Sequence, residues 1–151
     1  MIEIKRTDST DQDFIELVRH LDVELAERDG DEHSYYAQFN KIDLLKHVVV
    51  AYYDGRAAGC GAVKVFSPGE MEVKRMYTDP SVRGKGVASA VLRELEKWSR
   101  ELGYSACVLE TGWRQPEAVA LYRKSGYEQI PNYGQYAGME NSVCFRKPLV
   151  S

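Results

Sequence analysis

Cysteine is scarce in this 151-residue sequence, and its three cysteines, Cys60, Cys107 and Cys144, lie far apart. They form no Cys-x-x-Cys pair and have no histidine cluster beside them, which argues against a zinc site. Each cysteine lies among apolar or small residues, as is typical of a buried free thiol. An odd number of cysteines without a disulfide framework favours a reducing compartment.

Long apolar stretches and an excess of positive charge are also missing. No apolar run approaches the roughly 20 residues that span a bilayer, and the charged start MIEIKR lacks the apolar core of a signal peptide. The sequence has 20 Lys and Arg against 23 Asp and Glu, a net charge of −3, whereas general nucleic-acid binders are usually basic. We therefore expect a complete cytoplasmic protein that binds neither nucleic acid nor membrane.

The composition is that of an ordinary globular protein, with 44% hydrophobic and 28% charged residues. A domain of this length buries roughly 70% of the surface that its unfolded chain exposes, so it needs no disulfide or metal to fold. We expect residues 1–151 to form a single domain.

Periodicity predicts the elements. Apolar residues at helical spacing predict a helix over 11–27, with Thr10 and Asp13 as its capping box, and a short second helix is expected around 35–45. Alternation and turn signals, including a type I′ turn at Asp54-Gly55, predict strands at 1–6, 47–53, 56–66 and 70–78. A crossover region follows, with helices at 87–102 and 115–125 and strands at 105–111, 127–130 and 143–146. These elements predict an α+β fold in which a mixed, mostly antiparallel sheet of about six to seven strands is flanked by about four helices.

The third predicted strand carries several small residues, namely Ala57, Ala58, Gly59 and Gly61. They suggest that another element packs closely against it.

A glycine-rich loop, Arg83-Gly84-Lys85-Gly86, lies between a predicted strand and the start of a predicted helix. Glycine lets a backbone approach a ligand, and the first helical amides have no internal partner, so a phosphate can bind there. The loop lacks the P-loop pattern, and Ser89 stands where the dinucleotide fingerprint needs glycine. A glycine connection without any ligand is the competing interpretation.

Four segments, in order, carry a resemblance to a known family. They are EVKRMYTDP from Glu72, RGKGVA from Arg83, LETG from Leu109 and AVALYRKSGY from Ala118. The second matches [RQ]-x-x-G-x-[GA], the acetyl-CoA signature of the GNAT superfamily of N-acetyltransferases. The chain resembles this superfamily most densely over residues 70–128, and the resemblance implies its α/β-type GNAT fold.

The resemblance implies acetyl-CoA as a co-substrate and no metal. It implies that the pyrophosphate binds the backbone amides of Arg83, Gly84, Lys85, Gly86, Val87 and Ala88. It also implies that the pantetheine arm lies along Met76, Tyr77 and Thr78. Gln115 stands where the family often has an asparagine that contacts this arm.

The resemblance also implies two catalytic residues. Glu72 matches the position of a general base in several members, although Glu110 or ordered water are alternatives and a solvated strand residue is the competing interpretation. Tyr122 matches the tyrosine that protonates the CoA sulfur, with aromatic packing as its alternative role. A phenol with a pKa near 10 suits a donor that stays protonated at neutral pH.

We therefore expect an N-acetyltransferase in which a primary amine attacks acetyl-CoA directly within a ternary complex. Its acceptor is a small-molecule amine or a protein amine, and the specificity regions are expected at about 28–45 and 131–143. Carboxylates beside aromatic residues there suit a cationic acceptor. A non-catalytic CoA-binding regulatory domain and a nucleotide or phosphate binder are the alternative functions, and a homodimer is left open.

Overall fold

The computed structural model describes residues 1–30 and 44–149. Seven strands occur within them: β1 Ile2–Thr7, β2 His47–Tyr53, β3 Arg56–Ser67, β4 Glu70–Thr78, β5 Ala106–Gly112, β6 Glu128–Ile130 and β7 Ser142–Pro148. Three α-helices accompany these strands: α1 Gln12–Asp29, α2 Val87–Glu101 and α3 Pro116–Lys124. The helix expected around 35–45 falls mostly outside the described residues. Within those residues, no helix has the length and apolar character needed to cross a membrane.

The seven strands form one sheet in the order β1-β2-β3-β4-β5-β7-β6. Strand β4 pairs with β5 in parallel, and every other pair of neighbours is antiparallel. The predicted mixed, mostly antiparallel sheet is therefore confirmed. The two-residue turn between β2 and β3 has positive φ at Asp54 (51°) and Gly55 (87°), as a type I′ turn requires.

The start of α1 differs from the predicted capping box by one residue. Asp11, not Thr10, is the N-cap, and its Oδ1 accepts a hydrogen bond from the amide of Phe14 at 3.1 Å. The Thr10 hydroxyl donates to Asp8 instead, at 2.6 Å. Both residue types cap helices well, and an ion pair of 2.7 Å between Lys5 Nζ and Asp11 Oδ2 holds the aspartate at this end. The predicted Thr10–Asp13 capping box was therefore wrong. The cap depends on a contact between Asp11 and Lys5 of β1, which the pattern of residues within the helix does not include.

Each face of the sheet has its own apolar core. Helices α2 and α3 cover one face, where Val91, Leu92 and Leu95 of α2 are fully buried. Helix α1 covers the other face with Phe14 and Val18. The helix-spaced apolar residues of the sequence therefore become the two inner surfaces of a three-layer arrangement.

Two glycines of β3 let α2 approach the sheet closely. A Cβ atom added at Gly61 would lie 2.5 Å from Met76 Sδ, 2.9 Å from Leu95 Cδ1 and 3.0 Å from Val91 Cγ1. At Gly59 it would lie 2.6 Å from Val87 Cγ1. The close packing expected from these small residues is confirmed, and it brings the first turn of α2 down onto the sheet.

Strand β4 is irregular at its centre. Two of its residues, Arg75 and Met76, lie opposite the single residue Gly61 of β3, which is a β-bulge. Arg75 has a φ of 60°, in the left-handed region that residues other than glycine rarely adopt. Pairing of β4 with β5 is confined to Glu70–Glu72, so the two strands are not paired beyond that point.

We predict that Gly61→Ala destabilises the fold by ~1–3 kcal/mol, because the new methyl group overpacks the contact between β3 and α2. Urea denaturation followed by circular dichroism measures the change in the free energy of unfolding. Gly112→Ala is the matched control, since a Cβ there has its nearest neighbour at an ordinary 3.5 Å. Equal stability of the two variants would contradict the predicted tight contact.

Candidate active site

A cavity of about 460 Å³ lies where β4 and β5 separate. Helices α1 and α3 and the loop before α2 complete its walls. Eleven of the sequence-predicted site residues line it: Glu72, Met76, Tyr77, Thr78, Arg83, Gly84, Gly86, Val87, Ala88, Gln115 and Tyr122. The twelfth, Lys85, is outside this lining, and its ammonium lies 5.9 Å from the centre of the Tyr53 ring.

The glycine-rich loop presents an open helix end to the cavity. Gly84 and Gly86 have φ values of 80° and 87°, which favour glycine. Gly86 is the N-cap of α2, and no described side chain caps the helix there. A Cβ at either glycine would meet no atom within 4 Å. The first amides of α2 therefore face space in which an anion can bind.

Two ion pairs join α1 to the loop before α2 and to α3, which form walls of the cavity. Arg83 of the loop donates from Nη2 to Glu24 Oε2 at 2.9 Å and from Nε to the carbonyl of Thr78 at 3.1 Å. Arg28 pairs with Glu117 of α3. Glu24 and Glu117 were missed by the sequence reasoning, because a glutamate on an amphipathic helix has no pattern that distinguishes it from a solvated one.

Glu72 is buried, with 5% of its surface exposed. Its neighbours Met71 and Val73 face the core under α2, while Glu72 lies on the opposite face of the strand and lines the cavity. The Tyr133 hydroxyl donates to Glu72 Oε2 at 2.8 Å. Burial and the negative charge of Glu72 raise the pKa of Tyr133, so this phenol stays protonated as the donor. The interpretation of Glu72 as a solvated strand residue was wrong.

Further polar groups line the cavity beside Glu72. Lys74 follows it by two residues on the same strand; burial lowers its pKa, and the negative charge of Glu72 opposes this shift. Glu110 Oε2 accepts a hydrogen bond of 2.8 Å from the Ser142 hydroxyl. The pKa of Tyr136 is raised by burial and by the charge of Glu110. Lys74 was missed by the sequence reasoning, although side chains two residues apart on a strand lie on the same face and Lys74 therefore shares the face of Glu72.

Tyr122 both packs and faces the cavity. Its ring centre lies 5.8 Å from that of Tyr127 and 6.2 Å from that of Phe145. Burial, with a smaller effect of the Glu110 charge, raises its pKa above the usual value of 10. The phenol is therefore protonated at neutral pH, as a proton donor to a leaving thiolate must be.

None of the three cysteines is among the residues that line this cavity. All three are buried, and burial raises the pKa of Cys60 to about 12 and those of Cys107 and Cys144 to about 11. The prediction of buried thiols is confirmed. In the described part of the chain, no group of three or more His, Cys, Asp or Glu residues could hold a metal ion.

Comparison with known proteins identifies the family. The model of the acetyltransferase (GNAT) family matches residues 14–127, well over half of the chain. The chain belongs to the GNAT family. Its resemblance to that family is thereby confirmed, and the protein is an acyltransferase.

Relatives by sequence carry acetyltransferase names. The chain is 38% identical over 102 residues to the IAA acetyltransferase of Azospirillum brasilense, covering 67% of each protein. It is 36% identical over 84 residues to the uncharacterized N-acetyltransferase YjgM of Escherichia coli. That match covers 54% of this chain and only 50% of the relative.

Solved structures share the fold over almost the whole chain. A Klebsiella pneumoniae protein, provisionally assigned as an acyl-CoA N-acyltransferase, is 31% identical with a TM-score of 0.82 and 99% coverage of both chains. The PaiA N-acetyltransferase of Thermoplasma acidophilum, solved with coenzyme A, is 20% identical with a TM-score of 0.70. The match covers 98% of this chain and 99% of the PaiA chain. At this identity the similarity shows the fold alone.

Proposed function

We propose that this GNAT-family protein transfers the acetyl group of acetyl-CoA to a primary amine. One observation carries the proposal: a single cavity connects the open helix end at Gly84 and Gly86 with the buried side chains of Glu72 and Tyr122. A phosphate-bearing thioester can thus bind at one end with its reactive carbon near an acid and a base. Membership of the GNAT family supports this choice of ligand, as does the coenzyme A complex of a protein that shares the fold.

The pyrophosphate binds the backbone amides of residues 83–88, where the positive end of α2 stabilises it. Arg83 adds its charge, and Glu24, its partner across the cavity, competes with the phosphates for it. The pantetheine arm lies along Met76–Thr78, where β4 has no pairing with β5 and can hydrogen-bond a ligand instead. Gln115 lines the cavity near this arm.

The reaction is a direct transfer. An acceptor ammonium has a pKa near 10 and loses one proton to Glu72, directly or through water. The neutral nitrogen attacks the thioester carbonyl, and a strand amide within Met76–Thr78 stabilises the oxyanion. The C–N bond forms as the C–S bond breaks, Tyr122 protonates the departing thiolate, and the acylated nitrogen loses its second proton to solvent. After Glu72 releases its proton and Tyr122 regains one from solvent, the products are the N-acetylated amine and the CoA thiol.

A non-catalytic CoA-binding domain is the less favoured alternative. Burying a carboxylate and a phenol beside a cavity has a desolvation cost, which the hydrogen bond from Tyr133 to Glu72 only partly offsets. A domain that only holds CoA has no use for them there, whereas the transfer reaction needs both.

We predict that Gly86→Asp raises the Kd for acetyl-CoA by ~100-fold or more, because a carboxylate would face the pyrophosphate. Isothermal titration calorimetry measures the affinity. Gly138→Asp is the matched control: it has a similar φ of 81° and equally open surroundings, but it lies away from the loop. Unchanged affinity in Gly86→Asp would remove the loop from the binding site, and displacement of acetyl-CoA by ATP would favour a nucleotide site.

We predict that Tyr122→Phe lowers kcat by ~10²-fold or more with little change in the Kd for acetyl-CoA, since it removes a proton donor and keeps the ring. Stopped-flow or single-turnover kinetics isolates the chemical step. Because burial raises the pKa of Tyr122, wild-type activity should not fall from its ionisation at any pH below about 10. An unchanged chemical rate in the variant would leave Tyr122 with a packing role only.

We predict that Glu72→Gln lowers kcat/KM for the amine by ~10²-fold near neutral pH, and that the loss shrinks toward high pH. The amine is then already neutral and needs no base. Release of CoA across a pH series measures both effects, with Glu110→Gln as the matched carboxylate variant. A pH-dependent loss in Glu110→Gln alone would identify Glu110 as the base, and a constant loss in Glu72→Gln would indicate that Glu72 only orients the acceptor.

A further inference from the structure

Arg75 is a buried cation on the wall of the cavity. Its side chain is only 2% exposed, and it lies in the β4 bulge. Its Nη2 donates to Asp22 Oδ1 of α1 at 2.5 Å. The other two nitrogens, Nε and Nη1, are buried without a hydrogen-bond partner among residues 1–30 and 44–149. Buried donors are nearly always satisfied in folded proteins, so these two need a partner, which a group bound in the cavity can supply.

The charge of Arg75 is only partly balanced. Asp22, its ion-pair partner, has 54% of its side chain exposed to solvent, which weakens its hold on the guanidinium. The positive charge of Arg75 also contributes to the lowered pKa of the neighbouring Lys74, after the larger effects of burial and of the Lys64 charge. This part of the cavity wall can therefore accept a negative charge.

The same cavity offers groups of opposite sign to a single small ligand. Glu72, Glu110 and Arg75 all line it. The two carboxylates can receive an ammonium, and the N–H groups of Arg75 that lack partners in the described structure suit an anion. A carboxylate is the anion that a guanidinium binds best through directed hydrogen bonds. A dianion such as a phosphate fits less well, because it would add two negative charges beside Asp22.

We propose that the acceptor amine carries a carboxylate, as an amino acid does, and that Arg75 determines this specificity by binding the carboxylate through its Nε–H and Nη1–H groups. This inference rests on the proposed acetyl transfer. It narrows the acceptor from any primary amine to amino acids or molecules that resemble them.

Matched pairs of acceptors test the inference. Wild-type protein is assayed for CoA release with L-phenylalanine against 2-phenylethylamine, L-leucine against 3-methylbutylamine, and L-lysine against 1,5-diaminopentane. In at least one pair, kcat/KM should be ~10-fold or more higher for the amino acid, the effect of one charge-assisted hydrogen bond. Arg75→Met should lower kcat/KM for the amino acid but not for the matched amine, so the ratio of the two values should approach one. Arg75→Lys should retain part of the preference for the amino acid.

Asp22→Asn provides a second variant that keeps Arg75 in place if Arg75→Met fails to fold. It removes the competing negative charge and leaves an oxygen acceptor, so KM for the amino acid should fall while kcat for the decarboxylated amine stays the same. An unchanged KM for the amino acid would contradict the inference. Calorimetry with acetyl-CoA completes the set, because a loss of cofactor affinity in Arg75→Met with an unchanged ratio would assign Arg75 to the cofactor instead.

The two proposals fail in different ways. Equal turnover within every pair would overturn the carboxylate site and leave acetyl transfer intact. Absence of turnover with every amine would count against acetyl transfer. The role of Arg75 is then tested by the binding of two N-acetylated compounds. N-acetyl-L-phenylalanine should bind the CoA complex more tightly than N-acetyl-2-phenylethylamine, and it should lose this advantage in Arg75→Met; equal affinities in the wild type would overturn the inference.

Discussion

Parallel pairing between β4 and β5 ends at Glu72, and the rest of the site depends on that ending. A continuous sheet would bury the backbone groups of Met76–Thr78 in a ladder of hydrogen bonds and would leave no space at its centre. The bulge at Arg75 and Met76 interrupts the register of β4 just beyond that point, and the cavity lies where the two strands are no longer paired. A central sheet thus supplies rigid walls and strand amides that a ligand can use.

The separation of the strands requires close packing elsewhere. Gly59 and Gly61 allow α2 to pack directly on β3, which fixes the open end of the helix beside the gap. Ion pairs from α1 to Arg83 and Glu117 hold the opposite wall. The glycine loop is therefore positioned by contacts on both faces of the sheet, and its own sequence supplies only its backbone freedom.

Buried charge has two different uses in this fold. On the buried side of α2, Glu96 accepts hydrogen bonds of 2.9 Å from both the Tyr127 hydroxyl and Lys147 Nζ, so its carboxylate is paired on both oxygens. This arrangement is structural, and the Tyr127 hydroxyl takes part in it. In the cavity, by contrast, Arg75 retains buried donors without partners in the described structure. Such a cost to stability is typical of functional sites.

Local patterns in the sequence determined the elements and the cofactor loop. Alternation fixes which face of β4 carries Glu72, helical spacing fixes the inner surfaces of α1 and α2, and Asp54-Gly55 fixes a turn, because each depends on neighbours a few residues away. The glycine loop was recognisable for the same reason. Only the tertiary structure decided that Tyr133 donates to Glu72, that Asp11 rather than Thr10 caps α1, and that Arg75 is buried at a bulge. These features arise from contacts between separate elements of the fold or from a break in strand register, and neither leaves a periodic signal in the chain.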